Sequence, residues 1–361
     1  MTKMHDLAEL GQAVWLDYIR RSFTTSGELG KLVEQGLRGV TSNPSIFDKA
    51  IAGSDDYDEA FKKLVKVGCS VDEIYEALVV EDIQQAADVL RPVYDQTGGA
   101  DGFVSLEVSP TLAYNTQGTI EDARRLFGLV SRPNVMIKVP ATPEGIPAIE
   151  TLIGEGININ ITLMFSLAHY DVVAEAYFKG LEKLAASGGD LSKVASVASF
   201  FVSRVDTAVD KALEEKGNRA LLGKIAVANT KMTYARFQET FSGPRWQGLA
   251  DKGARVQRPL WASTSTKNPA YSDTLYVDNL IGPHTVNTMP PATLDAFLDH
   301  SVVAVTIGEG LDEARDQLAA LADLGIDLDA VTEKLQVDGV AAFEKSFDSL
   351  MTSITEKQEK M

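Results

Sequence analysis

The residue whose setting most calls for a chemical explanation is Lys138, in the run Val135-Met136-Ile137-Lys138-Val139-Pro140. The run is apolar and β-branched and closes on a proline, which reads as a short strand. Alternation puts Val135, Ile137 and Val139 on one face and Met136 and Lys138 on the other. Two apolar faces imply burial on both sides, as in a parallel sheet. Lysine is almost never fully buried without a partner. Burial disfavours an ammonium, and a neutral amine is a nucleophile that condenses with carbonyls to Schiff bases. The bland alternative is an edge strand whose ammonium stays in water.

Other runs repeat the same pattern of one apolar face opposed by a polar one. Ile157, Ile159 and Ile161 oppose Asn158, Asn160 and Thr162, and Val104, Leu106 and Val108 oppose Phe103, Ser105 and Glu107. Val14 and Leu16 oppose Trp15 and Asp17, Val40 opposes Thr41 and Asn43, and a later run ends in Ser199. Each residue alone has a structural reading. Asp17 and Asn43 suit turns and helix caps, and a buried serine commonly satisfies backbone groups. Glu107 is harder to dismiss, because a buried carboxylate needs a partner. Beyond these, Ala262-Ser263-Thr264-Ser265-Thr266-Lys267 offers hydroxyls, backbone N–H groups and a cation after a strand, which suits a phosphate or a solvated loop. Arg204 can fork onto a phosphate or carboxylate, or pair with Asp206 or Glu214.

The elements that would position these groups alternate between strand and helix. Strands are expected at residues 14–17, 39–43, 103–108, 135–140, 157–162, 194–199, 259–263 and 274–278. Helices are expected at 26–36, 70–94, 119–131, 142–154, 166–187, 201–216, 219–241 and 293–299, with at least one more before residue 70. This beat is that of a parallel sheet with helical crossovers. Eight such units without a glycine-rich dinucleotide turn favour a closed (β/α)₈ TIM barrel. The apolar faces then meet the outer helices. Asp17, Asn43, Glu107, Lys138, Asn160, Thr162, Ser199 and Ser263 ring the C-terminal mouth, where such barrels carry their catalytic groups. A slip of one residue would turn any of them outward. Helices at 311–324 and 329–354 follow, packing outside the barrel or over one end. Residues 1–361 read as one domain, with 311–361 as a C-terminal helical extension. Ile307-Gly308-Glu309-Gly310 has no strand-turn-helix context and reads as a loop.

The totals narrow the class. The 361 residues are 45% hydrophobic and 24% charged, ordinary for a globular enzyme. A formal charge of −17 argues against a nucleic-acid partner, which needs a basic footprint. A phosphorylated small substrate needs only two or three local cations. One cysteine, Cys69, rules out an intramolecular disulfide and a thiolate metal cluster. His5, His169, His284 and His300 show no metal-ligand spacing, so neither metal nor other cofactor is expected. No apolar leader or membrane-length run occurs, so the expected location is cytoplasmic.

Together these residues resemble the transaldolase family, over nearly the whole chain and most closely its bacterial branch with a long C-terminal helical extension. The carrying motifs are Thr41-Ser42-Asn43-Pro44-Ser45, Val104-Ser105-Leu106-Glu107-Val108 and Ile137-Lys138-Val139-Pro140-Ala141-Thr142-Pro143-Glu144-Gly145. Asn158-Ile159-Asn160-Ile161-Thr162-Leu163-Met164-Phe165-Ser166 and Tyr276-Val277-Asp278-Asn279-Leu280-Ile281-Gly282-Pro283 add to them. The resemblance implies a Schiff-base lysine at Lys138, an acid/base at Asp17, a second carboxylate at Glu107 and a water-positioning Thr162. It implies that Asn43, Asn160 and Ser199 hold the dihydroxyacetone part of a sugar, and that Arg204 and Ser263 bind its phosphate. Many relatives carry an arginine two residues after that serine; this chain has Ser265, and Lys267 is the replacement cation on offer.

The implied reaction, of the non-oxidative pentose phosphate pathway, moves dihydroxyacetone between sugar phosphates. Sedoheptulose 7-phosphate or fructose 6-phosphate is the donor, and glyceraldehyde 3-phosphate or erythrose 4-phosphate the acceptor. The alternatives are a class I fructose-6-phosphate aldolase that releases free dihydroxyacetone, or a non-catalytic sugar-phosphate-binding barrel. How the lysine loses its proton beside two carboxylates is open: an apolar wall of Met136 with Phe200 or Phe201, a protonated carboxyl, or transfer on substrate binding would each serve. A homodimer is left open.

Overall fold

A computed structural model describes residues 2–360 of the chain. Its eight strands are β1 (Gln12–Asp17), β2 (Gly39–Thr41), β3 (Phe103–Glu107), β4 (Val135–Pro140), β5 (Ile159–Met164), β6 (Ser196–Phe201), β7 (Arg258–Ala262) and β8 (Thr285–Met289). They pair in parallel in sequence order, and β8 returns to β1, so the sheet closes into the (β/α)₈ TIM barrel expected. Closure demands close approach at one seam. Trp15 pairs with Gly39 across β1 and β2, and the indole lies 2.5 Å from where a Cβ on Gly39 would stand. Any side chain there would push the two strands apart.

The first seven strands fall where alternation puts them, with β5 and β6 displaced by two residues. The eighth does not. Within residues 274–278 the backbone forms a helical turn, Leu275–Asp278, and the Thr274 hydroxyl donates to Asp278 Oδ2 at 2.7 Å. Local side-chain bonding of this kind competes with strand pairing. The true strand, β8, is hidden because each of its faces mixes polar and apolar residues. Thr285 takes a hydrogen bond from Gln12 Nε2 (2.8 Å), Asn287 Oδ1 takes one from Thr264 (2.9 Å), and Thr288 on the opposite face meets Thr41 (2.7 Å).

Helix starts follow their caps. Ser70 and Glu73 form a capping box on Val71–Gln96, and Ser166 Oγ accepts from His169 N (3.1 Å) to open Leu167–Ala186. Asn115 caps Thr116–Val130, which begins three residues before the expected start. Phe201 belongs to β6, so the following helix starts later, as Ser203–Glu215. Gly308 and its neighbours lie in a turn. The last helix, Leu328–Glu359, lies over the C-terminal end of the barrel. Gln336 Nε2 donates to the carbonyls of Ala141 and Leu163, each at 3.0 Å, just past β4 and within β5. Ser346 meets Ser45 at 2.7 Å, and Ser349 reaches Asp48 at 3.0 Å, both on the helix after β2. No helix among the described residues is long and apolar enough to cross a membrane. No group of three or more His, Cys, Asp or Glu among them is arranged to hold a metal.

Candidate active site

Three adjacent strands bring the reactive residues to one level. Register pairs Glu107 on β3 with Lys138 on β4, and Lys138 with Asn160 on β5. Lys138 is 5% exposed; its Nζ donates to the Ser42 carbonyl at 3.0 Å and lies 3.3 Å from Glu107 Oε2. Burial of both charges is tolerable because each has the other. Burial pushes the Glu107 carboxyl above the usual range, and Lys138 opposes that rise. Above the amine stands the ring of Phe343, from Leu328–Glu359, with its centroid 5.7 Å from Nζ. This ring joins the apolar wall considered for the lysine. Phe201 does line the cavity, but Phe200 turns away and packs edge-on against Trp261.

A hydrogen-bonded row fixes the next side chains. Asn160 Nδ2 donates to Ser105 Oγ (3.0 Å), and Ser199 Oγ donates to Asn160 Oδ1 (2.6 Å). Thr162 is fully buried, and its hydroxyl has no protein partner among the described residues. A buried hydroxyl without a partner costs about 1–3 kcal/mol, so a water or substrate atom belongs beside it. Leu163 follows with φ +63°, a left-handed conformation that disfavours a non-glycine residue, where the pairing of β5 with β6 shifts register. Gln336 holds the Leu163 carbonyl at that irregularity.

Asp17, at the end of β1, takes a hydrogen bond from Thr41 Oγ1 at 2.7 Å. Burial raises its carboxyl above the ordinary range; the Thr41 bond, then Lys138 and Arg204, pull the other way. Asn43 has both of the roles considered. Its Oδ1 caps the helix Pro44–Ala52 by accepting from Ile46 N (3.0 Å), and the residue lines the cavity.

Cations gather on the side of β6 and β7. Arg204 pairs with neither Asp206 nor Glu214; its guanidinium lies 5.1 Å from the centroid of the Phe201 ring, and desolvation lowers its pKa while Asp17 opposes. Asp206 instead accepts from Ala226 N (2.7 Å) and Tyr276 OH (2.8 Å). Ser263 adopts φ +55° and meets Ser203 Oγ at 2.9 Å. Lys267 Nζ donates to Ser265 Oγ at 2.6 Å, so the lysine offered as the replacement cation stands with the serine at the rim of the cavity.

All the predicted residues except Glu107 line one cavity of about 200 Å³. Glu107 contacts Lys138 from the other side of the amine. Sequence reasoning missed Thr41, Thr288, Gln336 and Phe343. Thr41 opens one of the motifs that carry the resemblance, whereas Thr288 lies in the strand that the sequence did not reveal. Gln336, Gly339 and Phe343 share one helical face (i, i+3, i+7), but nothing local says that this face meets the barrel. Gly339 eases the approach: a Cβ there would stand 2.9 Å from Leu163 Cδ2 and 3.5 Å from Arg204 Nη1.

Barrel and cavity together are those of a (β/α)₈ enzyme with its polar groups at the C-terminal mouth. A family model described as transaldolase/fructose-6-phosphate aldolase matches residues 14–354. A transaldolase of Thiobacillus denitrificans is 50% identical over 97% of this chain and 98% of its own. One from Trichodesmium erythraeum is 46% identical over 99% and 97%, and one from Frankia alni 49% over 98% and 97%. A solved 2,3-dimethylmalate lyase covers 94% of this chain and 96% of its own at a TM-score of 0.27 and 10% identity; the fold is read from the closed barrel itself. The chain belongs to the transaldolase/fructose-6-phosphate aldolase family, and the relatives it matches over nearly its whole length are transaldolases, which are transferases.

Proposed function

We propose that this chain transfers dihydroxyacetone from sedoheptulose 7-phosphate or fructose 6-phosphate to glyceraldehyde 3-phosphate or erythrose 4-phosphate, within the non-oxidative pentose phosphate pathway. The observation that carries the reading is the buried Lys138–Glu107 pair, with Nζ 3.3 Å from Oε2 at the wall of the cavity. The ammonium passes a proton to this carboxylate, whose basicity is enhanced by burial. The freed amine attacks C2 of the ketose and gives a carbinolamine. Glu107 returns the proton to the C2 hydroxyl, which leaves as water while the nitrogen lone pair forms the iminium. This proton passes between Glu107 and C2 through a water held by Thr162. The iminium draws electrons from the C3–C4 bond as Asp17 takes the C4 hydroxyl proton, and the aldose phosphate departs. The remaining enamine adds to the acceptor aldehyde, and hydrolysis frees Lys138. Covalent catalysis thereby divides one exchange into two easier steps.

Asn43, Asn160 and Ser199 suit the hydroxyls of the three-carbon unit, while Arg204, Ser263 and Lys267 suit the phosphate. Residues 1–361 act in this reading as one cytoplasmic domain. Its 311–361 segment is part of the site, and no metal or organic cofactor is required. The test is borohydride reduction in the presence of fructose 6-phosphate: a three-carbon adduct on Lys138 is expected, with activity indifferent to chelators. An unlabelled Lys138 would refute the mechanism. Product analysis with and without an aldose acceptor distinguishes transfer from an aldolase that releases dihydroxyacetone, and binding without any adduct would leave a non-catalytic barrel.

A further inference from the structure

A second cavity, of about 350 Å³, lies outside the barrel between Val71–Gln96, Thr116–Val130 and Leu328–Glu359. Tyr75 and Val79 line it from the first helix, Asp122 and Leu126 from the second and Phe347 from the third. Its inner wall includes Glu107, which does not line the substrate cavity. Glu107 therefore stands between two spaces, with Oε2 on the Lys138 amine and the residue otherwise bordering the second cavity. The nearness of the carboxylate is felt by Tyr75, whose phenol is pushed up first by burial and then by Glu107. The cavity has room for several waters and offers hydroxyl and carboxylate groups to bind them. Asp122 and Arg125, bonded to one another at 2.7 Å, border its outer part, and the Arg125 side chain is 52% exposed, so the space reaches solvent.

We infer that this second cavity is the water port of the reaction, through which the Glu107 carboxyl exchanges water and protons with bulk while a sugar phosphate fills the first cavity. The inference rests on the proposed Schiff-base mechanism. Imine formation breaks the C2–O bond: the hydroxyl takes a proton from Glu107 and leaves as one water. Hydrolysis of the final imine adds one water to C2 and returns the proton to Glu107. Both steps occur with a phosphorylated sugar occupying the mouth beneath Phe343. A route behind Glu107 needs no movement of substrate or of the C-terminal helix.

The port is tested with fructose 6-phosphate carrying oxygen-18 at C2 and saturating erythrose 4-phosphate. The label retained in sedoheptulose 7-phosphate is read by mass spectrometry and corrected for exchange without enzyme. Native protein is expected to lose label to water, and the filling variants Val79→Phe and Leu126→Trp to retain it several-fold better. Both variants should still yield the borohydride adduct at Lys138. An adduct with label loss unchanged from native overturns the port and leaves the Schiff base standing; no adduct in native protein overturns the mechanism itself. A crystal structure of the native reduced adduct decides independently of the variants. Ordered water running from Glu107 to the surface through this cavity supports the port, and a dry cavity refutes it.

Discussion

Lys138 and Glu107 are cross-strand partners whose charged ends meet 3.3 Å apart with each side chain 7% exposed. Removing either charge leaves the other buried without compensation, which typically costs about 3–5 kcal/mol. Glu107→Gln keeps the shape and removes the base. We expect a lower melting temperature and a fall in kcat on the order of a hundred- to ten-thousand-fold. Single-turnover trapping with borohydride should show adduct formation itself slowed. Unchanged trapping would remove Glu107 from the imine steps.

Asp17 is held by two opposed influences: burial raises its carboxyl and the Thr41 hydroxyl lowers it. Thr41→Val deletes the lowering contact, so the group stays protonated to a higher pH. If ionised Asp17 takes the C4 proton, the acid limb of the kcat profile must move to higher pH in the variant. A limb that stays in place would assign the base elsewhere.

Phe343 is 7% exposed and covers the Lys138 amine from the C-terminal helix. Phe343→Ala should destabilise the protein by about 3 kcal/mol or more through the cavity it leaves. It should also let water reach the covalent intermediate, so dihydroxyacetone released without acceptor should rise several-fold. Product analysis of acceptor-free reactions checks this. An unchanged yield would reduce the ring to a packing residue.

The Asp206 carboxyl, 1% exposed, is pushed up to about 6, chiefly by burial and against the hydrogen bonds from Ala226 and Tyr276. A raised folded value means that the native state binds the proton more tightly than the unfolded chain. Its contribution to stability is therefore fully present below about pH 4 and is lost as pH rises through about 6, by roughly 3 kcal/mol. Denaturant melts of Asp206→Asn against native protein should differ in slope with pH across this window. Parallel slopes would show that Asp206 titrates as an ordinary carboxyl.

The sequence alone determined the strands whose two faces differ in character. Glu107, Asn160 and Thr162 were legible because strand geometry turns every second residue the same way, and Lys138 because a charge interrupts an otherwise apolar strand. The motif resemblance then attached roles to those positions. Strand β8 was not legible, since hydrogen-bonding residues occupy both its faces and erase the period. The choice of Phe201 over Phe200 was within reach of the same alternation, because Ser199 on the lumen side puts Phe201 beside it and turns Phe200 outward.

Only the tertiary structure decided what stands over the lysine and what lies behind its carboxylate. Gln336 and Phe343 come from some two hundred residues away, and their helix reads locally as any amphipathic helix. Its docking is fixed by the two carbonyls left for Gln336 and the serines facing Asp48 and Ser45, and is eased by the missing side chain at Gly339. These are relations between surfaces that exist only after the barrel has closed. Local periodicity records which face of an element is buried, and only packing determines what it is buried against.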